Sequence, residues 1–282
     1  ILFLETLQSF IDISSFVHER LIQGREENLY VSLPKLKTHS MSQVTLSIKN
    51  QFGFVHQASR IADHNFKLHQ KFADIYRLLR PDFVIIDGTI ATDHGHYLAT
   101  KYADQCVRSS ACLIGGDDRL EVDTVAAGFL GLTIKQVKPL DLAAKTGIGQ
   151  GDMGKIPIAN RELYASRKMK LTHHLLERFP DDLVILRGKE RCCEEGCRRN
   201  TETVAEVFHA DHGGKGGFTI IMGKGVDAAR VAALRGRVHI AGSCAIQYHG
   251  IELVGRLGKK NVTMSSGCKN LPETRQGLCR QM

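Results

Sequence analysis

Four stretches of the C-terminal half decide the fold: Leu183-Val184-Ile185-Leu186-Arg187-Gly188, Phe218-Thr219-Ile220-Ile221-Met222-Gly223, Val238-His239-Ile240-Ala241-Gly242 and Val262-Thr263-Met264-Ser265. Each is a short apolar run closing on small residues, the pattern of a buried strand that meets a turn. Helical spacing fills the gaps, beginning near Asn200 and running over residues 228–234 and 251–257. Strand and helix in alternation predict a parallel sheet with right-handed crossovers.

Parallel strands all point one way, so every strand-to-helix turn falls on the carboxyl edge, where open α/β folds bind their ligands. Cys192, Cys193 and Cys197 follow the first strand, Lys224 the second, Cys244 the third and Cys268 the fourth. The helix-to-strand turns, such as residues 211–217, carry no cysteine. Soft thiolates select zinc, copper(I) or iron–sulfur clusters. Cys193 and Cys197 are expected to open a helix and share a face, with Arg191, Arg198 and Arg199 neutralising an anionic centre. Zinc ribbons use paired C-x2-C knuckles, which this sequence lacks. Cys193, Cys197, Cys244 and Cys268 are therefore read as metal ligands of an iron–sulfur cluster, 4Fe–4S favoured, with zinc as the alternative. Cys192 is a spare ligand or a redox thiol, Cys106 and Cys112 read as core, and Cys279 is set aside.

The N-terminal half is less regular. A strand is expected at 29–33 and a helix at 66–79, stopping before Pro81. Residues 83–86 form a continuous apolar run closing on Asp87-Gly88, the look of a buried strand followed by a turn. Residues 111–114 repeat that form, and a helix follows at 122–130. Lys35, Lys37, His39, Lys49 and Asn50 lie in one strand–loop–helix stretch, with His69, Asp87 and Asp123 further along. Basic residues beside His and Asp suit a small anionic substrate with a general acid or base at hand. Lys37, His39, Lys49 and Asp87 are the catalytic candidates; Lys35, Asn50, His69 and Asp123 are the binding candidates. Asp93 with His96 offers a weaker hard-metal pattern. The Gly213–Gly217 run precedes a strand instead of following one, so it is no phosphate loop.

At 282 residues, 43% hydrophobic and 24% charged, the chain has the composition of a globular protein and room for two domains. The glycine-rich segment 147–159 and the polar segment after it place the boundary: one α/β domain over 1–160 and a cysteine-bearing α/β domain over 175–282. The net charge of +8 raises nucleic acid, but the basic residues are scattered and Trp is absent, so no nucleic-acid partner is expected. No stretch approaches the roughly 18 apolar residues of a membrane span, so no membrane partner is expected. The chain opens at Ile1 in an amphipathic pattern, which we read as truncated at its N-terminus. Nothing in it has the form of a signal peptide, so the eight cysteines are read as cytoplasmic thiols.

The N-terminal motifs are themselves familiar. Leu33-Pro34-Lys35-Leu36-Lys37-Thr38-His39, then Thr45-Leu46-Ser47-Ile48-Lys49-Asn50-Gln51-Phe52-Gly53, resembles the opening signature of the uncharacterised domain-of-unknown-function family 362. Lys67-Leu68-His69, Pro81-Asp82-Phe83-Val84-Ile85-Ile86-Asp87-Gly88, Glu121-Val122-Asp123 and Gly147-Ile148-Gly149 continue the likeness in order, to about Pro157. The resemblance implies that Lys37, His39, Lys49, Asn50, His69, Asp87 and Asp123 line a shared cleft, and it favours iron–sulfur chemistry. Two departures stand out: the Asp93-His94-Gly95-His96-Tyr97 loop, and the lack of a C-x2-C-x2-C-x3-C run. The expectation is a redox-type enzyme acting on a small anionic substrate, with an electron-transfer protein as partner. The alternatives are a metal-binding or delivery protein without catalysis, and a metal-independent hydrolase or transferase with inert cysteines.

Overall fold

The computed structural model describes residues 12–62, 64–95, 97–267 and 271–282. They fall into two compact units, Ile1–His96 with Cys106–His173, and Tyr97–Gln105 with His174–Met282.

The first unit is built on a mixed five-stranded sheet of β1 (Val31–Ser32), β2 (Lys35–His39), β3 (Gln43–Val44), β4 (Phe83–Thr92) and β5 (Val107–Gly116). β1 and β2 both run parallel to β4, β5 pairs antiparallel along its whole length, and β3 folds back on β2. The expected turn at Asp87-Gly88 is absent. The strand continues through it to Thr92, because Asp87 and Gly88 are taken into the ladder opposite Leu113 and Cys112. Glycine serves there as a point of close approach: a Cβ on Gly88 would stand 2.7 Å from Cys112 Sγ. Helices Leu68–Leu78, Arg119–Phe129 and Lys138–Lys145 cover the sheet and build one core around Leu36, Phe72, Ile75, Ile86 and Leu120. The first ends just short of Pro81, and Asp118 caps the second by accepting from Leu120 N and Glu121 N.

The second unit is an α/β unit with a four-stranded, all-parallel sheet. Its strands β6 (Val184–Arg187), β7 (Phe218–Met222), β8 (Arg237–Ala241) and β9 (Val262–Ser265) lie in sequential order. Helices Arg199–His212 and Leu271–Cys279 pack on the face formed by Phe218, Ile220, Met222 and Ala241. Helices Ala228–Ala232 and Ser243–Leu257 pack on the opposite face, with Leu186, Ile221 and Ile240. Burial on both faces explains why these strands read as unbroken apolar runs. The β6–β7 connection crosses over the face opposite to the next two, so the three crossovers cannot all share the expected right hand. The helix expected to begin at Ile251 starts at Ser243, which puts Cys244 in its first turn.

Candidate functional site

In the second unit, the segment after β6 is held against the turn after β7. Arg191 N donates to Lys224 O at 3.2 Å and Lys224 N donates to Arg191 O at 2.7 Å. Two glycines permit this approach: a Cβ on Gly188 would stand 2.2 Å from Lys224 O, and one on Gly223 equally close to Arg191 O. Gly223 also brings the β7 turn to within contact of Cys192.

Cys193 and Cys197 were expected on one helix face. Instead Cys193 is extended, a wide turn Glu194–Arg198 follows, and Gly196 breaks it with φ −117° and ψ −134° before the helix begins at Arg199. Cys193 Sγ receives the Arg191 Nε–H at 3.2 Å, while Cys197 turns inward and is buried. The thiol facing Cys197 is Cys192. Their hydrogen bond holds the Cys192 thiol below its ordinary range, aided by Arg198 and Arg187 and opposed by burial and Glu202. The β8 turn reaches the same place. A Cβ on Gly242, whose φ is +86°, would lie 2.8 Å from Cys197 Cβ and 3.0 Å from its Sγ. Gly242 N donates to Ser265 O, and Gly267 N donates to Ser243 Oγ, so the start of the β9 turn adjoins as well. Cys268 lies outside the described residues, as does His96. Among the described residues no three cysteine sulfurs lie within 4.8 Å of one another.

The wide turn is anchored from beneath by Glu202, which the sequence reading did not single out and which takes up Arg198 and Arg199, the residues expected to neutralise an anionic centre. Glu202, wholly inaccessible, accepts from Arg187 Nε at 2.6 Å, Arg198 Nε at 3.2 Å and Arg199 Nη1 at 3.0 Å. Arg199 Nη2 also donates to Glu194 Oε1 at 2.8 Å. Their i, i+3 and i, i+4 spacings were legible in the sequence; that Arg187 joins from the strand was not.

In the first unit, the residues expected to line one cleft divide into three groups. Lys35 and Asp87 form an exposed ion pair at 2.7 Å, which draws the Asp87 carboxyl down to about 2. His39, Asn50, His69 and Asp123 are tied into the scaffold. His39 is buried, and its Nδ1 accepts from Met41 N and Ser42 N. Asn50 donates to Ser32 Oγ, and His69 is buried in helix Leu68–Leu78. Asp123 is buried and accepts from Ser47 N at 2.9 Å and Ile48 N at 2.8 Å; burial lifts its carboxyl to about 7 against those two bonds. It thereby holds helix Leu46–Asn50 behind Leu46, which sits at a left-handed φ of +45°.

Lys37 and Lys49 form the third group. Lys37 O accepts from Thr45 N, and Thr45 O accepts from Lys49 N, so one short backbone relay joins them. The Lys49 ammonium stands 5.7 Å from the centre of the Phe72 ring. Burial, then Lys37 and Arg60, lower it to about 8. Arg60, from helix Gln57–Ala62, was missed in the sequence because no motif marks it.

The first unit is thus a mixed-sheet α/β domain displaying half-buried cations, and the second a parallel α/β domain displaying thiols. Residues 23–128 match the family model described as a domain of unknown function (DUF362), the family whose motifs the sequence carries. The match spans β1–β5 and ends within helix Arg119–Phe129. No curated protein and no solved structure matches the chain. Among the described residues no helix is long and apolar enough to cross a membrane.

Proposed function

We propose that the chain is an iron–sulfur protein, a redox-type enzyme whose cluster is carried by the cysteine edge of the second unit and whose small anionic substrate is held by Lys37 and Lys49 of the first. The supporting observation is the placement of Cys192, Cys193, Cys197 and Cys244 on one carboxyl edge, with the β8 turn packed directly on Cys197. Cys193, Cys197, Cys244 and Cys268 are the proposed ligands, and Cys192, bonded to Cys197, is a fifth thiol that can replace one of them. Bound there, a cluster would supply one-electron chemistry. Arg191 and Arg198 would offset its negative charge, and the hydrogen bond with Cys197 that lowers the Cys192 thiol supports the reading.

The sequence favours a cluster over a single zinc ion, because zinc ribbons use paired C-x2-C knuckles and the chain has none. An electron-transfer protein as partner and a cytoplasmic setting, where thiols stay reduced, belong to the same reading.

Purification without oxygen, followed by metal analysis and an absorption spectrum, tests it. Iron and acid-labile sulfide in about equal amounts, lost with the colour in Cys244→Ala, is the expected result. Zinc alone would replace the cluster with a structural or delivery site. Absence of any metal, with a Cys192–Cys197 disulfide forming in air, would overturn the metal reading in favour of dithiol chemistry.

A further inference from the structure

β5 pairs with β4 along one edge and with no other strand among the described residues. Over Cys112–Gly116 that pairing keeps an unbroken register, from Gly88 back to Val84. Alternate residues of such a strand turn their main-chain N–H and C=O groups to the free edge, a ready template for another strand. Open edges are usually blunted by a charge or a proline, and Cys112-Leu113-Ile114-Gly115-Gly116 carries neither.

A cavity of about 530 Å³ runs along this same edge and touches every residue from Ala111 to Gly116. Consecutive strand residues face opposite sides of the sheet, so a space that meets all of them follows the edge and not one face. Its other walls are apolar: Val122 and Val125 of helix Arg119–Phe129, the chain at Ile158, and Leu163 of helix Arg161–Arg167. The two ends differ in charge. At one, Arg167 Nη1 donates to Ala111 O at 3.2 Å. At the other, Asp117 and Glu121 line the space, and neither forms an ion pair among the described residues. Burial, then Asp118 and Asp117, push the Glu121 carboxyl up, so a cation is the complement of this end.

A small molecule could fill the cavity but would leave the strand edge unpaired. A second copy's β5 has the same helix Arg161–Arg167 beside its own edge, and the two helices would stand between the two strands. An extended peptide answers both features. Its backbone continues the sheet, alternate side chains enter the cavity, and the others lie beside the exposed Leu113.

We propose that the free edge of β5 and the cavity along it form a docking site for an extended segment of a partner protein, with apolar residues at alternate positions and a basic residue at the end next to Asp117 and Glu121. This site is independent of the metal and substrate readings above.

Fluorescence anisotropy of the full chain with labelled, capped hexapeptides tests it. The peptides alternate valine with threonine and carry one lysine, first in one peptide and last in another, so that strand direction is read along with affinity. In a matching pair glutamate replaces the lysine. One lysine peptide should bind at least tenfold more tightly than its glutamate counterpart, and Glu121→Lys should abolish or invert that preference. Methylating alternate backbone nitrogens of the better peptide should cost at least tenfold for the set that faces β5 and little for the other set. That comparison uses the wild-type chain and needs no variant to fold. Failure of every peptide to bind at millimolar concentration, equal losses from both methylated sets, or an unchanged preference in folded Glu121→Lys would overturn the proposal. So would a concentration-dependent dimer that the peptides do not dissociate, which would give the edge to a second copy.

Discussion

Arg199 and Glu202 meet at 3.0 Å with neither side chain exposed to solvent, directly beneath the turn that carries Cys197. Arg187, Arg198 and Arg199 all converge on Glu202 and, at longer range, on the half-exposed Glu177. Removing one partner of a buried pair leaves an uncompensated charge, which typically costs about 3–5 kcal/mol. Glu202→Gln keeps the shape but surrenders the charge, so its unfolding free energy from urea titration should fall by that order. A variant within 0.5 kcal/mol of wild type, about the size of an ordinary surface change, would show the network to be dispensable.

Gly242 combines a left-handed φ of +86° with close approach to Cys197. Gly242→Ala should lose about 1–3 kcal/mol to backbone strain and, by pushing Cys197 aside, lower the metal content. Gly236 provides the control: its φ is +78°, yet nothing lies within 4 Å of where its Cβ would be. Gly236→Ala should lose stability and keep its metal. Equal metal content in both variants would separate Cys197 from the metal site.

His239 lies in β8, an inner strand of the parallel sheet, its Nδ1 2.9 Å from Thr263 Oγ1 and its Nε2 3.2 Å from Ser265 Oγ. Burial lowers its pKa from 6.5 to about 4. Between those values the unfolded chain takes up a proton that the folded chain refuses. Its contribution to stability is therefore complete above pH 6.5 and falls away towards pH 4, by about 3 kcal/mol across the window. Urea unfolding at pH 7 and pH 4.5 should show a smaller loss in His239→Gln than in wild type. Identical losses would assign the acid sensitivity to other groups.

Asp123 accepts two backbone N–H groups, one on each carboxylate oxygen. An asparagine has a single acceptor oxygen and would leave one buried donor unpaired, a loss of about 1–3 kcal/mol. Asp123→Asn should show that loss at pH 8, where the carboxylate is ionised. Unaltered stability would mean that the Ser47 and Ile48 amides find other acceptors.

Local pattern alone determined much of this protein. The apolar runs at β6–β9, each closing on small residues, follow from burial on both faces of a parallel sheet. With strand direction settled, the placement of Cys192, Cys193, Cys197 and Cys244 on one edge follows from their positions in the chain. The family motifs likewise located β2, β4 and helix Arg119–Phe129. Tertiary structure decided what those residues touch. Asp87-Gly88 reads as a turn in isolation, but pairing with β5 keeps it extended, because a ladder of hydrogen bonds outweighs one dipeptide's turn preference. Asp123 reads as a cleft residue, but the fold buries it against two amides. Gly196 separates Cys193 from the helix, so Cys192 becomes the partner of Cys197. Periodicity records which face of an element is buried; it holds no record of which elements that face will meet.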